Sequence, residues 1–140
     1  MIAEDYLNRI KRGVALVERM RDEKARIESM VYSVTQDLTP RESCRTPLVK
    51  GDKTADSIVE LVRVKEELDE TVHQYALERQ LALRRVMELE RTAHVDVLYK
   101  RYFEVKGWEE IAVEMGYTYH HVHKLHSDAL VKFQDILDNE

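Results

Sequence analysis

Apolar residues in the first third of the chain recur at alternating intervals of three and four. They occupy two neighbouring rows of a helix: Ile10, Val17, Val31 and Leu38, a register that Lys24 interrupts, and Met20, Ile27 and Val34. Charged residues, mainly Arg and Glu, fill much of the opposite side, as expected of a solvated face. The pattern predicts one long amphipathic helix from about Ile2 to Gln36.

A second stretch keeps the same rhythm over several heptads. Its apolar positions are Ile58, Leu61, Leu68, Val72, Tyr75, Ala82, Val86 and Leu89, with Lys65 and Arg79 as interruptions. The pattern predicts a helix that opens near Asp52 or Thr54. Two helices with such seams can pair as an antiparallel hairpin, and self-association would bury the same stripes. Leu77, Leu81 and Leu83 lie off the seam, which indicates either a wider core face or a surface for a partner.

The helical period is lost between these two stretches. Thr39 and Thr46 each precede a proline, which biases them away from helix, and Gly51-Asp52 adds a turn signal. Residues 37–52 are therefore predicted to form a loop, either ordered by packing or mobile.

The last third of the chain predicts shorter helices. Thr92 is expected to cap a helix from Ala93 to Val105, which Lys106-Gly107 breaks. The inward positions of that helix are Val95, Leu98, Tyr102 and Phe103.

The segment that follows is typical of a helix-turn-helix. Its first helix has one apolar face, formed by Ile111, Ala112 and Met115. Gly116 can take the positive φ that ends this helix, and Thr118 is a good N-cap for the next one. Inward positions of the second helix are Val122 and Leu125, and the pattern continues through Ala129, Leu130, Phe133, Ile136 and Leu137.

Taken together, the patterns predict an all-α protein, because strand signals are nearly absent. A long two-helix antiparallel hairpin is expected in residues 1–91, where it would serve oligomerisation or contact with a partner. A trihelical helix-turn-helix domain is expected in residues 92–140.

A helix-turn-helix presents its second helix to the major groove of DNA. The groove-facing positions here are Thr118, Tyr119, His120, His123, Lys124 and Ser127. Lys124 is the one fixed cation among them, the hydroxyls can reach phosphate oxygens, and the imidazoles can donate or accept at base edges. Arginine, which makes the commonest specific base contact, is absent from this surface.

The charge balance opposes tight binding of DNA by one copy of the chain. The net charge is −5, and residues 92–140 carry five basic against nine acidic side chains. A domain that binds mainly by neutralising phosphates should be basic. We therefore expect a homo-oligomer or a partner protein to be needed for firm binding to double-stranded DNA.

Histidines are concentrated in the last third, and His120, His123 and His126 follow one another at three-residue spacing on one side of a helix. A metal site would need convergent ligands, and no pair here is four residues apart. Structural use or DNA contact is the favoured interpretation, and no metal or cofactor is expected. The alternative is that these histidines become charged at lower pH and offset the acidic balance.

Other function classes find little support in the sequence. The single cysteine, Cys44, excludes an internal disulfide and a cysteine-based zinc site. No Gly-rich phosphate loop or nucleophile motif indicates an enzyme. No apolar run approaches the roughly 20 residues of a membrane span, and Glu4 and Asp5 precede any apolar stretch, so a cytoplasmic protein without a membrane partner is expected.

Three runs of the last third resemble region four of bacterial sigma factors. They are Val97–Phe103, Trp108–Tyr117 and Val122–Leu130. That family has a leu-x-x-arg-tyr/phe run, an ile-ala pair, a glycine and a terminal ala-leu. The matching residues here are Leu98, Arg101, Tyr102, Ile111, Ala112, Gly116, Ala129 and Leu130.

The whole layout resembles small phage and prophage regulators of the RinA/ArpU type, which place a long helical half with a Pro-containing insert before such a helix-turn-helix. Met30-x-Tyr32, Thr46–Lys50 and Asp56-x2-Val59 are similar to that group. The resemblance implies a transcriptional regulator that contacts promoter DNA beside RNA polymerase or a sigma factor, since nothing resembles sigma region two. The alternative is a helical adaptor, associated with polymerase or phage packaging, whose helix-turn-helix does not bind DNA on its own.

Overall fold

Five α-helices make up the part of the chain that the structure describes. It is a computed structural model, which describes the backbone of residues 2–37 and 49–140 and the side chains of residues 2–33 and 55–140. The helices are α1 (Ile2–Asp37), α2 (Val49–Met87), α3 (Thr92–Leu98), α4 (Trp108–Met115) and α5 (Tyr119–Asp138). The all-α fold class is confirmed, and no strand occurs within these described ranges.

The two long helices agree with the hydrophobic pattern except at the start of α2. This helix begins at Val49, so Gly51 and Asp52 lie inside it, and the turn predicted there is wrong. A single glycine inside a helix lowers the stability of that helix by only about 1 kcal/mol relative to alanine. The other residues of a long helix compensate for this loss. The rest of the predicted loop, residues 38–48, lies outside the described residues. Among the described helices, none has both the length and the apolar character required to span a membrane.

Contacts within the chain divide it into two compact units. One, here called the core unit, consists of Met1–Leu16 and Tyr75–Glu140, and the other, the hairpin unit, consists of Val17–Gln74. The sequence predicts a domain boundary at residue 91. That prediction concerns domains that fold on their own, which the division by contacts does not test, so it stays a prediction.

The hairpin unit pairs α1 with α2 in antiparallel orientation. Lys24 Nζ lies 2.6 Å from a carboxylate oxygen of Asp69, and Lys65 Nζ lies 3.2 Å from one of Glu28. A step of four residues forward along α1 therefore matches a step of four residues backward along α2. The antiparallel hairpin predicted from the two seams is confirmed.

The core unit joins the first turns of α1 and the end of α2 to the shorter helices. The N–H of Ala3 donates to Gln134 Oε1 on α5 at 2.8 Å, and Arg85 on α2 donates to the Tyr6 hydroxyl at 2.9 Å. One connected set of buried side chains results: Ala3, Leu7, Ile10, Ala82, Val86, Leu89, Val97, Leu98, Tyr102, Phe103, Ile111, Ala112, Val122, Leu125, Ala129, Leu130 and Phe133. The helix-turn-helix is thus part of a larger core, which also includes the beginning of the chain.

The segment before the helix-turn-helix differs from the predicted single α-helix. Thr92 is the first helical residue rather than the cap, because the extended backbone, with φ −89° and ψ 124°, occurs at Arg91. After Leu98 the helix widens into a π-helical turn, Tyr99–Phe103, in which the N–H of Glu104 donates to the Tyr99 carbonyl at 3.0 Å.

Candidate nucleic-acid interface

A tight turn joins α4 to α5 and fixes where the second helix starts. Gly116 ends α4 with a φ of 69°, and the N–H of Tyr117 donates to the Ala112 carbonyl at 3.0 Å. This is the left-handed glycine cap that the sequence predicted. Thr118 then caps α5, because its Oγ1 accepts a hydrogen bond from the N–H of His121 at 3.1 Å. The predicted N-cap is confirmed.

The inner side of α5 is anchored in the core at the predicted positions. Val122 is completely buried and Leu125 is 4% exposed, opposite the buried Ile111 and Ala112 of α4. The small side chain of Ala112 permits close packing of two helices. Since these contacts fix the rotation of α5 about its axis, they also determine which side chains of its first turns face outward.

Five of the six predicted contact residues are exposed on that outward side. We call them the contact face: Thr118, Tyr119, His120, Lys124 and Ser127. The Ser127 hydroxyl donates its proton to the His123 carbonyl at 3.1 Å, whereas the Thr118 hydroxyl accepts in its cap and keeps its proton for an outside acceptor. Within the described residues, Lys124 has no ion-pair partner, so its ammonium group can reach a phosphate.

His123, the sixth predicted contact residue, is half-buried between two rings. Its ring centroid lies 4.5 Å from that of Trp108 and 4.5 Å from that of Tyr119. Its Nε2 is enclosed and has no hydrogen-bond partner among the described side chains and backbone. His123 therefore packs between Trp108 and Tyr119 with tilted rings, and its role in reading a base edge stays a prediction.

His126 lies inside the core rather than at the interface. Its Nε2 is 2.7 Å from the Tyr102 hydroxyl. Burial, with smaller contributions from Arg101 and His123, lowers the pKa of His126 to about 4, and burial also raises the pKa of Tyr102 to about 12. For His126, burial and the two positive neighbours argue against the alternative that it becomes charged at mildly acidic pH.

Sequence reasoning missed how Arg101 and Trp108 support the contact face. The guanidinium carbon of Arg101 lies 4.3 Å from the Trp108 ring centroid, within the range of a cation–π contact. Trp108 in turn contacts the rings of His123 and His126, at 4.5 and 4.6 Å. A row of cation–π and aromatic contacts thus connects the π-helical turn to the start of α5. No local sequence signal indicates this row, since its members are far apart along the chain.

Acidic residues outnumber basic ones in the segment that carries the contact face. Lys124 is the only lysine or arginine between Trp108 and Asp128, while Glu109 and Glu110 are exposed in the first turn of α4. Lys100 and Lys106 both hold the carboxylate of Glu114, at 2.8 and 2.6 Å, and their hydrogen bonds lower the pKa of Glu114. Those two cations are therefore engaged within the chain, which leaves Lys124 and the positive end of α5 as the groups of the contact face itself that attract an anion.

The comparison with known proteins finds no match for this chain. No family model, no curated protein and no solved structure matches it. The resemblance to sigma region four and to phage regulators therefore stays a prediction that rests on the residues quoted for it. Within the described residues, no group of three or more His, Cys, Asp or Glu side chains could hold a metal ion.

Proposed function

We propose that this protein is a transcriptional regulator that binds promoter DNA through the contact face of α5. The observation that carries the proposal is the geometry at the start of α5. The left-handed Gly116 and the Thr118 cap start the helix at a defined position, and buried Val122 turns the contact face outward. A helix held in this way is what insertion into a major groove requires.

The charges on the contact face imply that binding is assisted. A single exposed lysine neutralises few phosphates, and each neutralised phosphate contributes to affinity through release of counterions. We infer action beside RNA polymerase or a sigma factor, with a phage or prophage origin suggested by the sequence resemblance alone. In this arrangement the helix-turn-helix positions the protein on the promoter, and a partner protein contributes part of the binding free energy.

The test is a fluorescence-anisotropy titration of the full chain against a pool of random-sequence DNA duplexes at several salt concentrations. Lys124→Ala should weaken binding across all sequences and reduce the slope of log affinity against log salt by about one. Lys132→Ala is the matched control, because Lys132 is an exposed lysine on the same helix outside the contact face. Absence of any binding at low salt, or an equal effect of both substitutions, would refute the proposal.

A second candidate function is favoured by the apolar side chains around the turn. Val113 is 82% exposed, and Tyr117 is 42% exposed. Together with the acidic Glu109 and Glu110, they form a surface that suits a basic protein better than DNA. An adaptor of this kind would bind RNA polymerase holoenzyme, and the contribution of the apolar side chains to the affinity would change little with salt concentration. Val113→Asp would then weaken polymerase binding while Lys124→Ala would not.

A further inference from the structure

Two lysines that precede the helix-turn-helix hold one carboxylate of α4 between them. Lys100 belongs to the π-helical turn, and Lys106 lies between that turn and α4. Their Nζ atoms lie 2.8 and 2.6 Å from the two carboxylate oxygens of Glu114, one lysine on each oxygen. The Glu114 side chain is 31% exposed, so solvent and other molecules can reach it. The two ammonium groups thus form a surface site for a single anion with two oxygens.

The two lysines differ in what else they contact. Within the described residues, Glu114 is the only ion-pair partner of Lys100, whereas Lys106 Nζ also lies 2.7 Å from Glu104. Hydrogen bonds to Glu104 and Glu114 raise the pKa of Lys106, and those from Lys100 and Lys106 lower the pKa of Glu114, so these groups are charged at neutral pH. Departure of Glu114 would therefore free the ammonium group of Lys100 and leave Lys106 bound to one carboxylate.

This site lies beside the helix that crosses the DNA backbone in a helix-turn-helix complex. The second helix of such a unit enters the major groove, while the first helix crosses the backbone. The first helix here is α4, which has three glutamates and no lysine or arginine. A cation that meets a phosphate along α4 must therefore come from outside that helix. Lys100 and Lys106 already contact it, and Lys106 is two residues from Trp108, whose ring packs against His123 of α5.

We propose that Lys100 and Lys106 form a binding site for a phosphate of the DNA backbone, which Glu114 occupies in the free chain. A carboxylate and a phosphate each present two oxygens to charged donors. An ion pair at the protein surface contributes little to stability, so replacement of Glu114 costs little, whereas neutralisation of a phosphate releases counterions. The inference rests on the proposed function, and it adds phosphate contacts to the one that Lys124 provides. Glu114 then lowers the affinity of the chain for DNA.

The test compares Glu114→Gln with Glu110→Gln in the full chain, by fluorescence anisotropy with the random-sequence duplexes and the same series of salt concentrations. Each substitution removes one negative charge from α4, but Glu110, one turn earlier and exposed, forms no ion pair within the described part of the chain. Glu114→Gln should bind DNA about fivefold more tightly than the wild type, and Glu110→Gln less than about twofold more tightly. A gain in affinity cannot result from misfolding.

Lysine substitutions in the Glu114→Gln chain identify the groups that are released. Lys100→Ala should remove most of the gain and reduce the slope of log affinity against log salt by about one. Lys106→Ala should remove less of it, because Glu104 still holds that lysine.

The outcomes separate this inference from the proposed function. If the wild type binds DNA, equal gains from the two glutamine variants, or a gain that survives Lys100→Ala, would overturn the inference alone. If neither the wild type nor Glu114→Gln binds DNA at low salt, the proposed function fails and the inference fails with it.

Discussion

The core unit and the hairpin unit are built from the same kind of amphipathic helix, yet their interiors differ. The connected set of buried side chains belongs entirely to the core unit, whereas Ile27 alone is buried among the described apolar residues of the hairpin unit. In the core unit, α3, α4 and α5 enclose side chains from several directions. In the hairpin unit, α1 and α2 cover each other from one direction. A heptad pattern therefore predicts a helix and its inward side, but not the degree of burial.

The largest expected difference between the units concerns loss of a large side chain. Phe133→Ala removes a completely buried ring and should lower the free energy of unfolding by about 3–5 kcal/mol. Leu68→Ala in the hairpin unit should cost less than half of that, because the leucine already contacts solvent. Urea denaturation of both variants measures the difference. Equal losses would mean that the hairpin seam is as closed as the core.

The next expected effect is a response to acid that is confined to the core unit. The pKa of His126 is about 4 in the folded chain and about 6.5 when unfolded, so the unfolded chain binds more protons as the pH falls. Stability from this group is complete above pH 6.5 and declines toward pH 4, by roughly 3 kcal/mol in total. Burial also lowers the pKa of His94, which adds in the same direction.

The variant His126→Phe keeps a ring at this position and removes the titrating group. Its unfolding free energy should therefore fall less steeply between pH 6.5 and pH 4 than that of the wild type, even if it starts lower because Tyr102 loses its partner. Parallel pH profiles for the two proteins would show that His126 does not control the acid response.

The smallest expected effect concerns the turn between α4 and α5, which sets the direction of α5 in the core unit. Gly116→Ala places a side chain at a φ of 69°, which should cost about 1–2 kcal/mol although no atom lies within 4 Å of the new Cβ. Gly107→Ala is the control: it also meets nothing within 4 Å, but its φ is −73°. A thermal melt of each variant suffices. If both glycines tolerate alanine equally, conformation at Gly116 is not what holds the turn.

Features set by local pattern were predictable, and features set by distant contacts were not. The extent of α1, the Gly116 cap and the Thr118 cap each depend on neighbours within a few residues. The burial of His126 and the contact between the Trp108 and His123 rings depend on how helices distant in sequence cross. A helical period places a histidine on one side of a helix, but only the neighbours packed against it determine whether that side is exposed to solvent. For this reason the exposure of five of the six predicted contact residues follows from the sequence, whereas the ring contacts behind them do not.

The π-helical turn at Tyr99–Phe103 determines how the chain can change in length. Such a turn holds one residue more than an α-helical turn, and both Tyr102 and Phe103 within it are buried. Deleting one residue there would restore an α-helical turn and leave everything after it at nearly the same rotation relative to α3, because the π-helical turn already absorbs the extra residue. A deletion within α3 would instead rotate the whole helix-turn-helix by about 100°. In evolutionary terms, the residue count should be free to change by one in this turn and should be fixed within α3.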